Sequence, residues 1–348
     1  MNMRLPKDGM AVAWLLVAGF GVRAAGQSGV IQDPALAQGV AESVTLLFCL
    51  AFGYAIQGVV SSTYSVWLHL GAVCLVGGTI LDALVGSTPI ARGVTIAGSA
   101  LVMPVMWQAA RRAEAGFERL AILVASTGPA LFALHAALFR AGSDRLSARF
   151  LRLAGAAAMA LPLLGILYRV RHFGETTRPA RLARMLLGIG FVAMPLVLVL
   201  SAFVDHRLKY GLAPASDCVT VALAIACIQA LRRGESTALA GFGTLLVSMV
   251  LGKLMGFYAF DGPLSAPPVL VTYGESWRTA LRQFHIDLMV VGYAFLLWPS
   301  LVRPLVAAVA SLALMLGVFM PVLGIWSRLA SVATVAWVVT FWRSKALA

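Results

Sequence analysis

A small set of polar side chains interrupts the long apolar stretches of this sequence. Burying a carboxylate, amine or imidazole in hydrocarbon costs free energy, so such groups usually face the interior of a helix bundle and handle protons, ions or ligands. Because charged residues make up only 12% of the chain, these exceptions are the natural candidates for function. The candidates for an ion or ligand pathway are Glu42, Gln57, Asp82, His135, Asp217, Lys253 and Asp287.

A structural role competes with the functional one at most of these positions. Glu42, Asp82, Asp217 and Lys253 lie within about five residues of the end of an apolar run, where a polar group can reach the headgroup layer. His135 lies deeper and could hydrogen-bond a carbonyl or hydroxyl group of a neighbouring helix. The sequence leaves both roles open.

Two further histidines, His69 and His285, have surroundings that suit a flat cofactor. His69 lies in VWLHLGAVCLVGG and His285 in FHIDLMVVGY, and small residues follow each histidine one to two helical turns later. A neutral imidazole can ligate iron, and a glycine on the facing wall can admit a haem ring. The sequence therefore makes haem a candidate cofactor, with His69 and His285 as its binding residues.

Helices long enough to cross a bilayer must position these side chains. Apolar runs of roughly 15 to 23 residues predict about twelve spans, with ten or eleven also compatible. They are Met10–Val22, Val40–Val60, Val66–Val85, Val94–Gln108, Leu120–Phe139, Leu153–Tyr168, Met185–Val204, Cys218–Leu231, Ala238–Phe260, Ile286–Leu301, Leu305–Ile325 and Leu329–Trp342. The first run is short and follows Arg4 and Lys7, so a cleaved signal peptide competes with a retained helix; Arg23 beside the would-be cleavage site favours the helix.

The composition agrees with lipid as the main solvent of this chain. Hydrophobic residues make up 60% of the 348 positions, and the mean hydropathy is +0.89. A soluble chain would need about a quarter of its residues charged to cover its surface. The predicted fold is an all-α, polytopic transmembrane bundle that forms one integral domain over residues 1–348, with two halves at 1–174 and 175–348 as an option.

The net charge of +13 comes from basic residues that lie in the gaps between apolar runs. They act as topology signals rather than as a nucleic-acid site, because no long stretch interleaves basic with aromatic residues. One arginine-rich gap favours an inner-membrane orientation with the N terminus in the cytoplasm, and it contains Arg169, Arg171, Arg178, Arg181 and Arg184. Another gap favours the opposite orientation, and it contains Arg140, Arg145, Arg149 and Arg152.

The usual signatures of membrane enzymes are missing from the sequence. It contains no G-x4-G-K-[ST], no H-E-x-x-H and no aspartate-rich prenyl-binding motif. The cysteines have no C-x-x-C spacing and are expected to be buried apolar residues rather than metal ligands; they are Cys49, Cys74, Cys218 and Cys227. A non-enzymatic role is therefore favoured.

One segment resembles a known family of membrane proteins. His285-Ile-Asp287-Leu-Met-Val-Val-Gly292 opens the tenth predicted span and is similar to the H-x-H-x4-G text on the tenth helix of haem-copper oxidase subunit I. The resemblance covers this helix and the span count. Asp287 stands where the family has its second histidine, and the copper-ligand text is absent. The resemblance therefore implies His285 as a haem ligand but does not imply oxygen reduction.

Two functional hypotheses follow for the bundle. The first is a transporter-like or ligand-binding membrane protein for a small molecule or an ion, because twelve helices in two halves around a basic central loop are common among secondary transporters. The alternative is a haem- or metal-binding membrane protein distantly like haem-copper oxidase subunit I. The expected partners are the lipid bilayer and a small molecule or ion, without nucleic acid.

Overall fold

The computed structural model describes most of the central part of the chain. The described residues are 34–60, 65–86, 88–113, 116–141, 143, 145–171, 177–254, 285, 288–293 and 295–297, with single positions at 12, 15, 18, 19 and 22. The predicted spans Leu305–Ile325 and Leu329–Trp342 lie outside these residues. Met10–Val22, Ala238–Phe260 and Ile286–Leu301 fall inside them only in part.

The described residues form helices, and no strand occurs among them. The helices are α1 Pro34–Val60, α2 Val66–Val85, α3 Pro89–Arg112, α4 Phe117–Leu138, α5 Leu146–Val170, α6 Arg178–Phe203, α7 Leu212–Arg232 and α8 Ser236–Leu254, with a 3₁₀ helix at His206–Gly211 before α7. The predicted all-α fold is confirmed for this part of the chain.

Seven of the described helices are long and apolar enough to cross a membrane, namely α2 to α8. In α1, a shorter apolar segment runs over Glu42–Gly58. Many large apolar side chains on these helices are exposed, as expected where lipid replaces water; examples are Val73, Ile90, Trp107 and Val247. The chain is thus a multi-spanning integral membrane protein, and the total of twelve spans stays a prediction.

Several helices extend beyond the apolar runs from which they were predicted. Helix α3 begins at Pro89 rather than Val94, because the Thr88 hydroxyl caps it by accepting from the Ala91 N–H at 3.2 Å and proline suits the first helical position. Helix α5 begins at Leu146 rather than Leu153. The predicted boundaries were too short here, because a helix can continue through polar residues once its end is capped.

Contacts divide the chain into two compact units. The first unit comprises Met1–Ile166 and Met194–Leu208, and the second comprises Leu167–Ala193 and Lys209–Ala348. In the first unit, α2 packs against α1 and α3, and α3 packs against α4; in the second, α7 packs against α8. The predicted halves at 1–174 and 175–348 stay a prediction.

Glycines let α2 and α3 approach each other closely. A Cβ atom at Gly98 would lie 2.5 Å from the Leu75 nitrogen and 2.8 Å from the Gly71 oxygen. A Cβ at Gly78 would lie 2.3 Å from Thr95 Oγ1 and 2.6 Å from the Thr95 nitrogen. Small residues at such crossings allow helices in lipid to gain close packing. The contact fixes how α2 and α3 present their polar side chains.

Helix α5 is buried along most of its length. In its membrane-spanning window 78% of the residues are buried, against 39–44% in the other six helices of this length and hydropathy. In the first unit it packs on α4, where a Cβ atom at Gly155 would lie 3.0 Å from the Phe132 ring, and on α1, where a Cβ atom at Gly53 would lie 2.9 Å from the Met159 methyl carbon. Most side chains of this apolar segment of α5 therefore lie against neighbouring residues rather than in lipid.

Candidate functional site

A buried polar cavity lies in the first unit where one set of ends of α1 to α5 comes together. Helices α1, α3 and α5 line it with residues near their starts, and α2 and α4 line it with residues near their ends. The charged and imidazole side chains that line this polar cavity are Glu42, Asp82, Arg92, His135 and Arg152. The sequence predicted the first, second and fourth of these residues.

The polar cavity is small and has mixed walls. Its volume is about 30 Å³. Since one water molecule needs about 10–15 Å³ of such space, the cavity can hold one or two waters or one small ion, but not an organic molecule. Thr79 and Thr95 also line it, and each hydroxyl already donates to a carbonyl of its own helix, at 2.9 Å and 3.2 Å respectively.

Glu42 and Arg152 form an ion pair at the wall of the polar cavity. The Glu42 side chain is only 5% exposed and that of Arg152 is 22% exposed. Arg152 Nη2 also donates to the Ser143 carbonyl oxygen at 3.3 Å. Glu42 therefore does not extend to the headgroup layer, and its negative charge is balanced inside the bundle.

Asp82 is anchored through its carboxylate oxygen Oδ2. Its Oδ2 accepts a hydrogen bond from the Ala141 N–H, in the connection between α4 and α5. Its Oδ1 is buried and has no hydrogen-bond partner among the described residues. The whole residue is buried, which argues against the interfacial role considered for it from sequence.

His135 and Arg92 add further unmet hydrogen-bonding capacity to the same cavity. His135 Nε2 and Arg92 Nε are buried and lack partners within the described part of the chain. The charge of Asp82 acts on His135. Buried polar atoms are normally paired, and each unmet one costs free energy. Three residues that line one small cavity thus carry an acceptor, an imidazole nitrogen and a donor without partners among the described residues, which indicates a site for a guest that can bond to them.

The connection between α4 and α5 is hydrogen-bonded to two of these side chains. Ala141 is held by Asp82, Ser143 is held by Arg152, and the Arg140 guanidinium lies 3.2 Å from the Cβ position of Gly86 at the end of α2. Asp82 directly, and Glu42 through Arg152, are thus linked to this one connection. A change in charge at Asp82 or Glu42 would alter how this segment is held.

The polar cavity does not have the composition of a metal centre. No group of three or more histidine, cysteine, aspartate or glutamate side chains is placed to hold a metal ion in the residues that the structure describes. The cysteines Cys49, Cys74, Cys218 and Cys227 are free. Two guanidinium groups at the cavity also oppose the binding of a multivalent cation.

Several predicted pathway residues lie away from the polar cavity. Gln57 is buried on α1, about 22 Å along the helix from Glu42 at the helical rise per residue, and its Oε1 has no partner among the described residues. Asp217 and Lys253 form an ion pair in the second unit, and the Asp217 side chain is 65% exposed. That pair agrees with the interfacial role weighed for it. Asp287 lies outside the described residues.

Haem binding at His69 or His285 stays a prediction, and the described residues show the contacts of one ring nitrogen of each histidine. His285 is buried in the second unit with its Nδ1 3.0 Å from the Ser248 hydroxyl, and the Cβ position of Gly292 is occupied by Leu245 at 2.6 Å. His69 is exposed, with its Nδ1 3.1 Å from the Ser65 oxygen. Gly71 and Gly78 after His69, and Gly292 after His285, pack closely against neighbouring helices, whereas a Cβ atom at Gly77 would meet nothing within 4 Å.

Arg92 and Arg152 are the site residues that sequence reasoning missed. Both were taken as loop charges, because the apolar runs begin after them. Each lies in the first two turns of a helix that starts earlier. The signal available in the sequence was the capping text S-T-P before Arg92, which marks a helix start three residues upstream of it.

The architecture defines the class of protein: a helical, multi-spanning integral membrane protein with a buried polar site. Comparison with protein-family models, curated proteins and solved structures finds no match to this chain.

Proposed function

We propose that this chain is a membrane transport protein in which the polar cavity binds a proton on its way through the first unit. The observation that carries the proposal is that three side chains lining one cavity each carry a buried polar atom without a hydrogen-bond partner among the described residues: Asp82 Oδ1, His135 Nε2 and Arg92 Nε. Ionisable groups held inside membrane helices are a recurrent feature of proton and ion pathways.

Size and charge favour a proton, with or without water, over other guests. A cavity of about 30 Å³ excludes organic substrates. The formal charges of Glu42 and Asp82 are balanced by Arg92 and Arg152, so a further cation gains little attraction unless it neutralises a carboxylate by bonding to it. Asp82 can accept a proton on its open oxygen while its other oxygen keeps the bond to Ala141.

The location of the polar cavity also suits uptake from one side of a membrane. In the proposed orientation, with a cytoplasmic N terminus in an inner membrane, α2 ends and α3 begins near the outer face. Arg92 and Arg152 then count as cavity residues rather than as outer loop charges. When these two arginines are left out, fewer Lys and Arg residues lie in the outer loops, which strengthens that orientation under the positive-inside rule.

Proton binding can be tested without knowledge of any co-transported substrate. Proteoliposomes are adsorbed on a solid-supported membrane and exposed to a rapid pH jump, so that a proton entering a site in the membrane displaces charge and gives a transient current. We expect a transient with the wild-type chain and none above protein-free liposomes with Asp82→Asn. The asparagine side-chain oxygen can still accept from the Ala141 N–H, so the substitution removes the charge while keeping that contact.

Asp217→Asn is the matched control, because it makes the same chemical change at an exposed aspartate in the second unit. It should leave the transient current intact, while His135→Gln should reduce it. The proposal fails if Asp82→Asn gives the wild-type current, or if Asp217→Asn removes the current equally.

A further inference from the structure

The second unit carries an exposed group of arginines at one end. The last residues of α5, the first turns of α6 and the last turn of α7 meet there: the Tyr168 hydroxyl donates to Gln229 Oε1 at 2.7 Å and to the Ala180 oxygen at 3.5 Å. Exposed arginines lie around this junction, at the start of α6 and at the end of α7. We call them the arginine face: Arg178, Arg181, Arg232 and Arg233.

Positive charge dominates this end of the second unit. Arg184 and Arg233 are close enough to Tyr168 for their charges to act on its hydroxyl. Of the described acidic residues in the second unit, Glu235 lies at this end and acts on Arg171, whereas Asp217 lies near the start of α7. Burial lowers the pKa of the Arg171 guanidinium, and the Glu235 carboxylate opposes that shift. Among the residues that the structure describes, Glu235 is thus the acidic side chain at this end, against several arginines.

Apolar stripes run away from the arginine face along both helices. On α6, Leu182, Met185 and Ile189 are exposed at 44%, 56% and 46%, and they follow Arg178 and Arg181 at helical spacing. On α7, the exposed residues Val221, Ile228 and Leu231 lead up to Arg232 and Arg233 in the same way. A guest with a negative head and an apolar tail matches both features.

We infer that the arginine face binds the phosphate groups of anionic phospholipids, whose acyl chains lie along the exposed stripes of α6 and α7. Clustered arginines at the end of a membrane helix attract anionic headgroups, and guanidinium forks match phosphate oxygens. A free phosphate would use the arginines but gain nothing from the stripes. The surface therefore selects a lipid.

Native mass spectrometry of the purified full-length chain tests the inference by titration with phosphatidylglycerol or phosphatidylcholine. The wild type should bind phosphatidylglycerol more tightly. Arg178→Gln with Arg181→Gln, and separately Arg232→Gln with Arg233→Gln, should each weaken phosphatidylglycerol binding by roughly ten- to thirty-fold, at the contribution expected per arginine near an anionic surface. Phosphatidylcholine binding should not change, and thermal melting verifies that each variant is folded.

The control pair is Arg145→Gln with Arg149→Gln, which removes two exposed arginines at the start of α5 in the first unit. It should keep the wild-type affinity for phosphatidylglycerol. Equal loss in the control pair, or wild-type affinity in both test pairs, overturns the inference. Displacement of phosphatidylglycerol by inorganic phosphate at matched ionic strength also overturns it, because the site would then recognise phosphate without a lipid chain.

Discussion

We expect Arg152→Gln to lower the free energy of unfolding of the bundle by about 3 kcal/mol or more, as is typical when one partner of a buried ion pair is removed. The substitution leaves the Glu42 carboxylate buried without its cation. It also removes the donor to the Ser143 oxygen. The measurement is reversible unfolding in mixed micelles, followed by the change in helical signal.

The double variant Glu42→Gln with Arg152→Gln separates charge pairing from general loss of packing. Two neutral side chains of similar size should destabilise the bundle by less than the sum of the single variants, by about 1–3 kcal/mol of coupling for residues in direct contact. Arg145→Gln, at an exposed position just before α5, should change stability by no more than about 0.5 kcal/mol. Equal effects of Arg152→Gln and Arg145→Gln would contradict the buried pair.

A second large effect is expected at the crossing of α2 and α3. Gly78→Ala should destabilise the bundle by about 1–3 kcal/mol, the usual cost of overpacking, because its Cβ would meet the Thr95 backbone nitrogen at 2.6 Å. The two helices would have to separate, and the Asp82 and Arg92 side chains near this crossing would shift with them. The same unfolding measurement reports the loss.

The adjacent glycine supplies the comparison for this prediction. A Cβ at Gly77 has nothing within 4 Å. Gly77→Ala should therefore be neutral or stabilise the chain by up to about 1 kcal/mol, since alanine favours the helix over glycine. If Gly77→Ala and Gly78→Ala behave alike, the close approach of the two helices is wrong.

The membrane-spanning helices could be predicted from sequence because hydrophobic length is a local property. Apolar runs such as Val66–Val85 located α2 to the residue. The polar ends of other helices could not be located in this way, because the hydropathy drops several residues before the helix ends. Arg92 and Arg152 were consequently assigned to loops, although they line the polar cavity.

The membership of the site depended on contacts that no local pattern contains. Glu42, Asp82 and His135 were each candidates, but the sequence did not indicate that they share a cavity or that Glu42 pairs with a residue on α5. The haem hypothesis arose from small residues that follow His69 and His285, and one of them, Gly292, packs against Leu245 of α8. Spacing within one helix cannot distinguish a space for a ligand from a space for a neighbouring side chain.

The most direct measurement of the proton site is the infrared difference spectrum of the reconstituted protein between neutral and acidic pH. We predict a protonated-carboxyl C=O band that appears on acidification, is absent in Asp82→Asn and is retained in Asp217→Asn. A spectrum without such a band, or one whose band persists unchanged in Asp82→Asn, would contradict proton binding at Asp82 in the polar cavity.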